Sequence, residues 1–381
     1  MSDSNKLIAA ETIAAQALGL EDEATGAIIR PVHVSTTFAR HPDYELPDGR
    51  SYMRDHGPTQ AHAESIVCRL EGGVDALTFS SGMAACTAPF HALNKGDHAL
   101  VSDTIYHGVL SWLHEFAESR GISYQLFAAG DLDALKNGLE SRDAALVWLE
   151  TPANPSWAVT DIRACCDLAH QYGALVAVDS TAATPVHTQP IALGADIVCH
   201  SATKFLNGHT DVVAGVLVTA NDSAYWQRIR KHRLLGGAVL SSMDAHLLIR
   251  GMRTLYLRVR QQSQSALQIA EFLQAHNAVE TVLYPGLQSH PGHDIAVRQM
   301  QDGFGGMLSF LIPGSKTEVI QCLSKAKVFK RATSLGGVES LMEHRKSSES
   351  DVTRTPDNLI RMSTGIERVD DLIADLDQML S

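Results

Sequence analysis

Two residues of opposite charge, Asp179 and Lys204, each follow a short apolar run, and their spacing suggests a joint chemical use. Ala195-Asp196-Ile197-Val198-Cys199 precedes His200-Ser201-Ala202-Thr203-Lys204, and a second apolar run, Val212 to Thr219, comes after it. Short β-branched runs bounded by Gly and polar residues read as strands of a covered sheet, which puts Lys204 in a tight polar turn between two core strands. An isolated lysine is usually a surface charge. A lysine kept from bulk water is different: desolvation and neighbouring charge favour its neutral amine, which condenses with an aldehyde cofactor. Asp179 closes the run Ala174-Leu175-Val176-Ala177-Val178. A carboxylate ending a buried strand is costly unless it meets a cation, and strand ends of α/β sheets face the crevice where ligands bind. A protonated pyridine nitrogen is a fitting partner. An acid that keeps such a ring protonated makes it an electron sink, the property that pyridoxal phosphate chemistry needs.

Other residues carry two readings each. Ser81-Gly82-Met83 follows the predicted strand Ala76–Phe79 and opens a helix, where Ser and Gly either cap the helix or offer its N-terminus to a phosphate. Tyr52 and Arg54, two apart on a predicted extended loop, form an anion clamp, or Arg54 simply pairs with Asp55. Tyr106 follows the strand His98–Val101 and fits a half-buried rim as well as a binding site. Asn154 stands between Pro152 and Pro155, where a turn needs it as much as a ligand does. Arg361 is flanked by apolar residues, so it needs an anion: a bound carboxylate or an internal acid.

Taken together, Val178-Asp179-Ser180-Thr181, Ser201-Ala202-Thr203-Lys204 and Gly208-His209-Thr210-Asp211-Val212-Val213-Ala214-Gly215 resemble the Cys/Met-metabolism family of pyridoxal phosphate enzymes. That family includes cystathionine synthases and lyases, methionine γ-lyase and acylhomoserine sulfhydrylases, and the likeness runs from about residue 11 to the C-terminus. The resemblance implies a fold-type I α/β architecture, a mainly parallel sheet flanked by helices with a smaller C-terminal α+β domain. It implies catalytic roles for Lys204, Tyr106 and Asp179. It also implies a cofactor shell of Tyr52, Arg54, Ser81, Gly82, Met83, Tyr106, Asn154, Asp179, Ser201, Thr203 and Lys204. In the family, Tyr106 stacks on the ring, Asn154 meets the phenolic oxygen, and Tyr52 and Arg54 reach the phosphate of an adjacent subunit. Arg361 and Ser334 then hold the substrate α-carboxylate. Departures from the family pattern are Gly57 where Asn is usual, His107 where Gly is common, and Gly108 where methionine γ-lyases carry Cys. Thr333 stands where cystathionine γ-synthases and γ-lyases carry Glu, and Arg345 replaces the Pro of a His-Pro pair. The changes at Thr333 and Arg345 alter the distal end of the pocket.

The remaining composition fits that reading. The 381 residues suffice for two or three structural units, and 45% hydrophobic with 19% charged residues is ordinary globular usage. A formal charge of −12 with no basic stripe argues against nucleic acid. No apolar run reaches the roughly 20 residues of a membrane span, and no secretory pattern opens the chain. Six dispersed cysteines suit reduced thiols of a cytoplasmic protein, and the 18 dispersed histidines show no metal-ligand spacing, so no metal is expected. Strand and helix alternate over residues 61–220, as in a parallel sheet covered on both faces. The expected organisation is an arm over 1–60 contacting a neighbouring subunit, a cofactor domain over 61–241 and a C-terminal domain over 242–381. The expected activity is a pyridoxal phosphate-dependent lyase performing β/γ-elimination on a cystathionine-like or other γ-substituted amino acid. The alternative is a γ-replacement transferase, and either would work as a homotetramer, a dimer of dimers.

Overall fold

The computed structural model describes residues 8–349 and 355–381. In chain order the strands are β1 (Asp75–Phe79), β2 (His98–Ser102), β3 (Ser123–Phe127), β4 (Leu146–Glu150), β5 (Leu175–Asp179), β6 (Ile197–His200) and β7 (Gly215–Thr219). They are followed by β8 (Thr281–Leu283), β9 (Met307–Leu311), β10 (Lys330–Arg331), β11 (Leu341–His344) and β12 (Leu359–Ser363). The first seven make a large, mainly parallel sheet and the last five a separate smaller one. The chain groups into two compact units: one runs up to Leu93 and includes Asp196–Tyr256, the other takes Asn94–Ala195 and the chain from Leu257 onward.

In the first unit, β7 lies between β1 and β6 and is antiparallel to both, with Phe79 opposite Gly215 and His200 opposite Val216. Every residue of β6 and β7 is buried. The sequence pattern suggested a strand from Val212, but β7 begins at Gly215. The reason is local: the Thr203 hydroxyl donates to the Ala214 carbonyl and accepts from its N–H, so that backbone is occupied before the ladder starts. Gly215 itself is required, because a Cβ there would come within 2.2 Å of the Ser81 carbonyl oxygen. The helix expected over 11–19 is α-helical over Ala10–Gln16 and tightens to a 3-10 turn at Ala17–Gly19, with Leu18 left-handed at φ 70°.

In the second unit, β3, β2, β4 and β5 pair in parallel, with Glu150 of β4 directly opposite Asp179 of β5. Amphipathic helices Leu132–Ser141 and Ile162–Gln171 cover this part through Leu135, Leu139, Ile162, Cys165, Cys166 and Ala169. Each is N-capped by an aspartate, Asp131 and Asp161, whose side chain accepts from a backbone N–H three residues on. The smaller sheet orders as β10-β11-β12-β9-β8. Its core packs Phe310, Met342, Ile360 and Met362 against Ile269, Leu273, Leu372 and Leu376 of the helices Leu255–Ala275 and Val369–Leu380. Burying each such side chain contributes about 1.5–3 kcal/mol, which fixes β11 and β12 and hence the polar residues between their apolar neighbours.

Candidate active site

The first unit assembles the lysine segment against a helix N-terminus. Ser81 caps the helix Gly82–His91 by accepting from the Ala84 N–H at 3.1 Å. The N–H groups of Gly82 and Met83, in the first turn, have no intrahelical acceptor and point along the positive end of the helix dipole. Gly82 approaches Ser201 so closely that a Cβ would fall 2.6 Å from the Ser201 hydroxyl and 3.2 Å from its Cα. Only glycine lets the helix end and the Ser201 turn share this space. Lys204 is half-buried in that turn, its N–H donating to Ser201 O at 3.1 Å and its carbonyl accepting from Gly208 at 2.7 Å. Asn207 braces the segment through Asp211 Oδ1 at 2.8 Å, and Gly251 packs on the Asn207 carbonyl, where a Cβ would meet it at 2.2 Å. Thr203 spends its hydroxyl proton on Ala214, so its first task is to hold the turn.

Directly before Ser201, His200 Nε2 and Glu71 Oε1 lie 2.6 Å apart, both sealed from solvent. Tyr52 and Arg54 are exposed; Tyr52 is extended and bridges to Thr37, whereas Arg54 lies in a helical turn. Tyr52 caps a one-turn helix, Met53–His56, whose curl brings the Arg54 guanidinium over the Tyr52 ring at 5.5 Å. The pair does lie together, by a different backbone route from the one the spacing suggested.

The second unit places Asp179 at the buried end of β5, with Oδ1 accepting from the Thr181 hydroxyl at 2.6 Å and its N–H at 3.0 Å. Beside it stands a carboxylate that the motif reading passed over. Glu150 ends β4 in register with Asp179; its Oε2 accepts from the Tyr106 N–H at 2.6 Å and its Oε1 from the Asn154 N–H at 3.3 Å. Glu150 therefore ties two predicted cofactor residues to the strand end. Burial, then the neighbouring Asp179 charge, holds its carboxyl well above the usual carboxylate range. The sequence signal was available, since Glu150 closes an apolar strand as Asp179 does. Tyr106 is 39% exposed, its ring centroid 4.6 Å from that of His107. Burial first, and next the Arg345 guanidinium, lowers the His107 imidazole below its ordinary value.

Arg361 is buried on β12 and reaches three acceptors: Ser334 O at 2.8 Å, Asn154 Oδ1 at 3.5 Å and Glu343 Oε1 at 2.7 Å. Burial draws its guanidinium down to about 10, against the opposing pull of Glu343, so it stays charged at neutral pH. Ser334 sits at φ 120°, a region that non-glycine residues avoid, and it presents its carbonyl to Arg361. Arg345 continues the chain of charge, donating from Nη1 to Glu343 Oε1 at 2.8 Å and from Nε to Glu349 Oε1 at 2.6 Å. Arg345, Glu349, Asn154 and His107 line a cavity of about 750 Å³, with Leu110, Phe127, Leu283 and Leu359 among its apolar walls. The Asn154 loop is pinned by Trp157, whose Nε1 donates to Ser309 on β9, while the Ser309 hydroxyl donates to Pro155 O.

These residues fit a pyridoxal phosphate. A glycine-floored helix N-terminus with serine hydroxyls suits its phosphate. Two adjacent buried carboxylates, of which Glu150 is raised well above its usual range by burial and then by Asp179, suit its ring cation. Comparison with known proteins agrees. Residues 11–381 match the family model described as Cys/Met metabolism PLP-dependent enzyme. The chain is 42% identical over 366 residues to the cystathionine gamma-synthase of Mycobacterium leprae, covering 94% of each sequence. It is 40% identical over 367 residues to the cystathionine gamma-lyase of Dictyostelium discoideum, again covering 94% of each. Its fold superimposes with a TM-score of 0.94 at 34% identity, over 98% of both chains, on the cystathionine gamma synthase of Xanthomonas oryzae pv. oryzae solved with aminoacrylate and cysteine.

Proposed function

The chain belongs to the Cys/Met-metabolism family of pyridoxal phosphate-dependent enzymes, and from that premise we propose that it is a lyase. It eliminates the β- or γ-substituent of a cystathionine-like or other γ-substituted amino acid and consumes one water, giving the protonated substituent, a 2-oxo acid and ammonia. When bound, the cofactor supplies an electron-withdrawing ring that takes up charge from the substrate α-carbon. Lys204 carries the cofactor, and its amine removes the proton from Cα and returns one further along the substrate. Asp179 would keep a proton on the ring nitrogen, Asn154 would meet the phenolic oxygen, and Tyr106 would stack on the ring and pass a proton to the leaving group. Ser81, Gly82, Met83, Ser201 and Thr203 form the phosphate cup, completed by Tyr52 and Arg54 of a neighbouring subunit. Arg361 and Ser334 hold the α-carboxylate.

The observation that carries this reading is the buried Arg361 guanidinium, facing Asn154 and Ser334. Asn154 also lines the cavity of about 750 Å³, which leaves room for a substituent beyond the α-carbon. Replacement chemistry is the second reading, favoured by the 42% identity to a cystathionine gamma-synthase. A panel of cystathionine, methionine, canavanine and O-succinylhomoserine, each with and without cysteine, separates the two. Oxo acid formed without added thiol supports the lyase, and strict dependence on thiol supports the transferase.

Assembly follows from the arm. Ile28, Ile29 and Val34 are 58–78% exposed, an apolar stretch that a second copy would cover. We take the working enzyme to be a cytoplasmic homotetramer of paired dimers, with the arm of residues 1–60 crossing to its neighbour, the cofactor domain over 61–241 and the C-terminal domain over 242–381. No described helix is long and apolar enough to cross a membrane.

A further inference from the structure

Arg361 and three charged neighbours form an alternating chain. Arg361 Nη2 lies 2.7 Å from Glu343 Oε1, and the same oxygen accepts from Arg345 Nη1 at 2.8 Å. Arg345 Nε donates to Glu349 Oε1 at 2.6 Å. The second oxygen of Glu343 accepts from the Ser348 hydroxyl at 3.1 Å. All four charged side chains are at most 7% exposed. Two arginines and two glutamates cancel, so the group is neutral as it stands.

Neutrality poses a difficulty for anion binding. A carboxylate arriving at Arg361 meets a guanidinium that already has a glutamate 2.7 Å away. Two carboxylates can share one buried arginine only if a further positive charge offsets their repulsion. Arg345 is that charge. It touches the same Glu343 oxygen from the other side, so Glu343 divides its interaction between two cations rather than saturating one. The arrangement is not sealed as a structural ion cluster would be. Arg345 and Glu349 border the cavity of about 750 Å³, and Asn154, which Arg361 Nη1 approaches at 3.5 Å, borders it too.

We propose that Arg345 is a positioning residue for carboxylate recognition: by drawing off the charge of Glu343 it leaves Arg361 able to accept the α-carboxylate of an amino acid. This rests on the reading of Arg361 as the carboxylate-binding residue. Arg345 acts through Glu343 and not on the substrate, so its effect depends on the carboxylate and on Glu343 being charged. Neither dependence is expected of a residue that only keeps the fold together.

The test uses the pyridoxal phosphate-loaded enzyme and two probes that lack a leaving group, L-alanine and L-alaninamide, with binding followed by the change in cofactor absorbance. Arg345→Gln is expected to bind L-alanine roughly tenfold more weakly, a difference of about 1.4 kcal/mol, with the amide unchanged. Adding Glu343→Gln to that variant is expected to restore L-alanine binding, because the competing charge is gone. Equal weakening of both probes, or no recovery in the double variant, overturns the proposal. Should Arg345→Gln fail to fold, Glu343→Gln alone carries the test: L-alanine should bind several-fold more tightly with the amide unchanged, and unchanged or weaker L-alanine binding overturns it. Arg361→Ala separates the two levels. If it loses discrimination between the probes while Arg345→Gln keeps it, the role of Arg345 alone falls. If Arg361→Ala still discriminates, the carboxylate reading falls and this inference with it.

Discussion

Two buried groups of polar and charged side chains contrast in the protein, and the contrast separates support from recognition. In the first unit Glu71 and His200 meet at 2.6 Å with side-chain exposures of 0–1%. The other polar atoms of the pair, Glu71 Oε2 and His200 Nδ1, are buried without a hydrogen-bond partner among the described residues. Such a pair has one partner each way and opens onto nothing. In the second unit Arg361, Glu343, Arg345 and Glu349 form a branched chain that also engages Ser334, Ser348 and Thr355 and lies against a cavity. A closed pair can only hold β6 in place beneath the Ser201–Lys204 turn. A chain that borders a cavity can take up a further carboxylate. Burying a salt bridge is weak evidence of net stabilisation, but removing one partner from it is always costly.

The contrast is sharpest at Arg361. Arg361→Ala removes the end of the open chain, and KM for an amino acid substrate is expected to rise roughly 10- to 100-fold, as for loss of a charge-assisted contact. Steady-state kinetics check this, and an unchanged KM would reduce the chain to structure. Glu71→Gln removes the carboxylate from the closed pair. Its expected cost is about 1–3 kcal/mol of stability, read from denaturant midpoints, with KM and kcat of the folded enzyme unchanged. A specific change in KM there would erase the distinction.

The smallest effect concerns Glu150, whose carboxyl is held above its usual range first by burial and then by Asp179. A raised folded pKa contributes stability below the unfolded value, near 4.3 for Glu, and that contribution is lost as pH rises through the folded value. Glu150→Gln cannot ionise. Its stability relative to the unsubstituted apoprotein should therefore increase from about pH 4 to pH 7, by an amount on the order of 1 kcal/mol. Thermal melts across that range check the sign, and a relative stability that falls with pH would contradict it.

How much of this was legible in the sequence depended on whether a residue acts through its neighbours in the chain or through distant ones. Lys204 in a turn after β6, Asp179 ending β5 and the Ser81-Gly82 helix start all follow from apolar runs and the residues that interrupt them. Arg361 on an apolar strand could be recognised as needing an anion, but not which one. Glu343 is opposite it only because β11 and β12 pair antiparallel in that register. Glu349 joins because the turn Arg345–Ser348 brings its carboxylate back to Arg345 Nε. Arg345 was visible as a departure from the His-Pro pattern, yet its partners depend on strand pairing and turn closure. Glu150 was overlooked for the opposite reason: its signal was local, but the Thr151-Pro152-Ala153-Asn154 loop drew the reading past it. Tyr52 is extended, but nothing in Tyr52-Met53-Arg54 marks the single helical turn that begins at Met53 and carries Arg54.

Lys204 is the residue proposed to carry the cofactor, and every other role at the site follows from it. Borohydride reduction of the pyridoxal phosphate-loaded enzyme, followed by digestion and peptide mass mapping, tests it directly. A pyridoxyl mass on the peptide containing Lys204, lost in Lys204→Arg, is the predicted result. The same mass on any other lysine, or retained in Lys204→Arg, would contradict it.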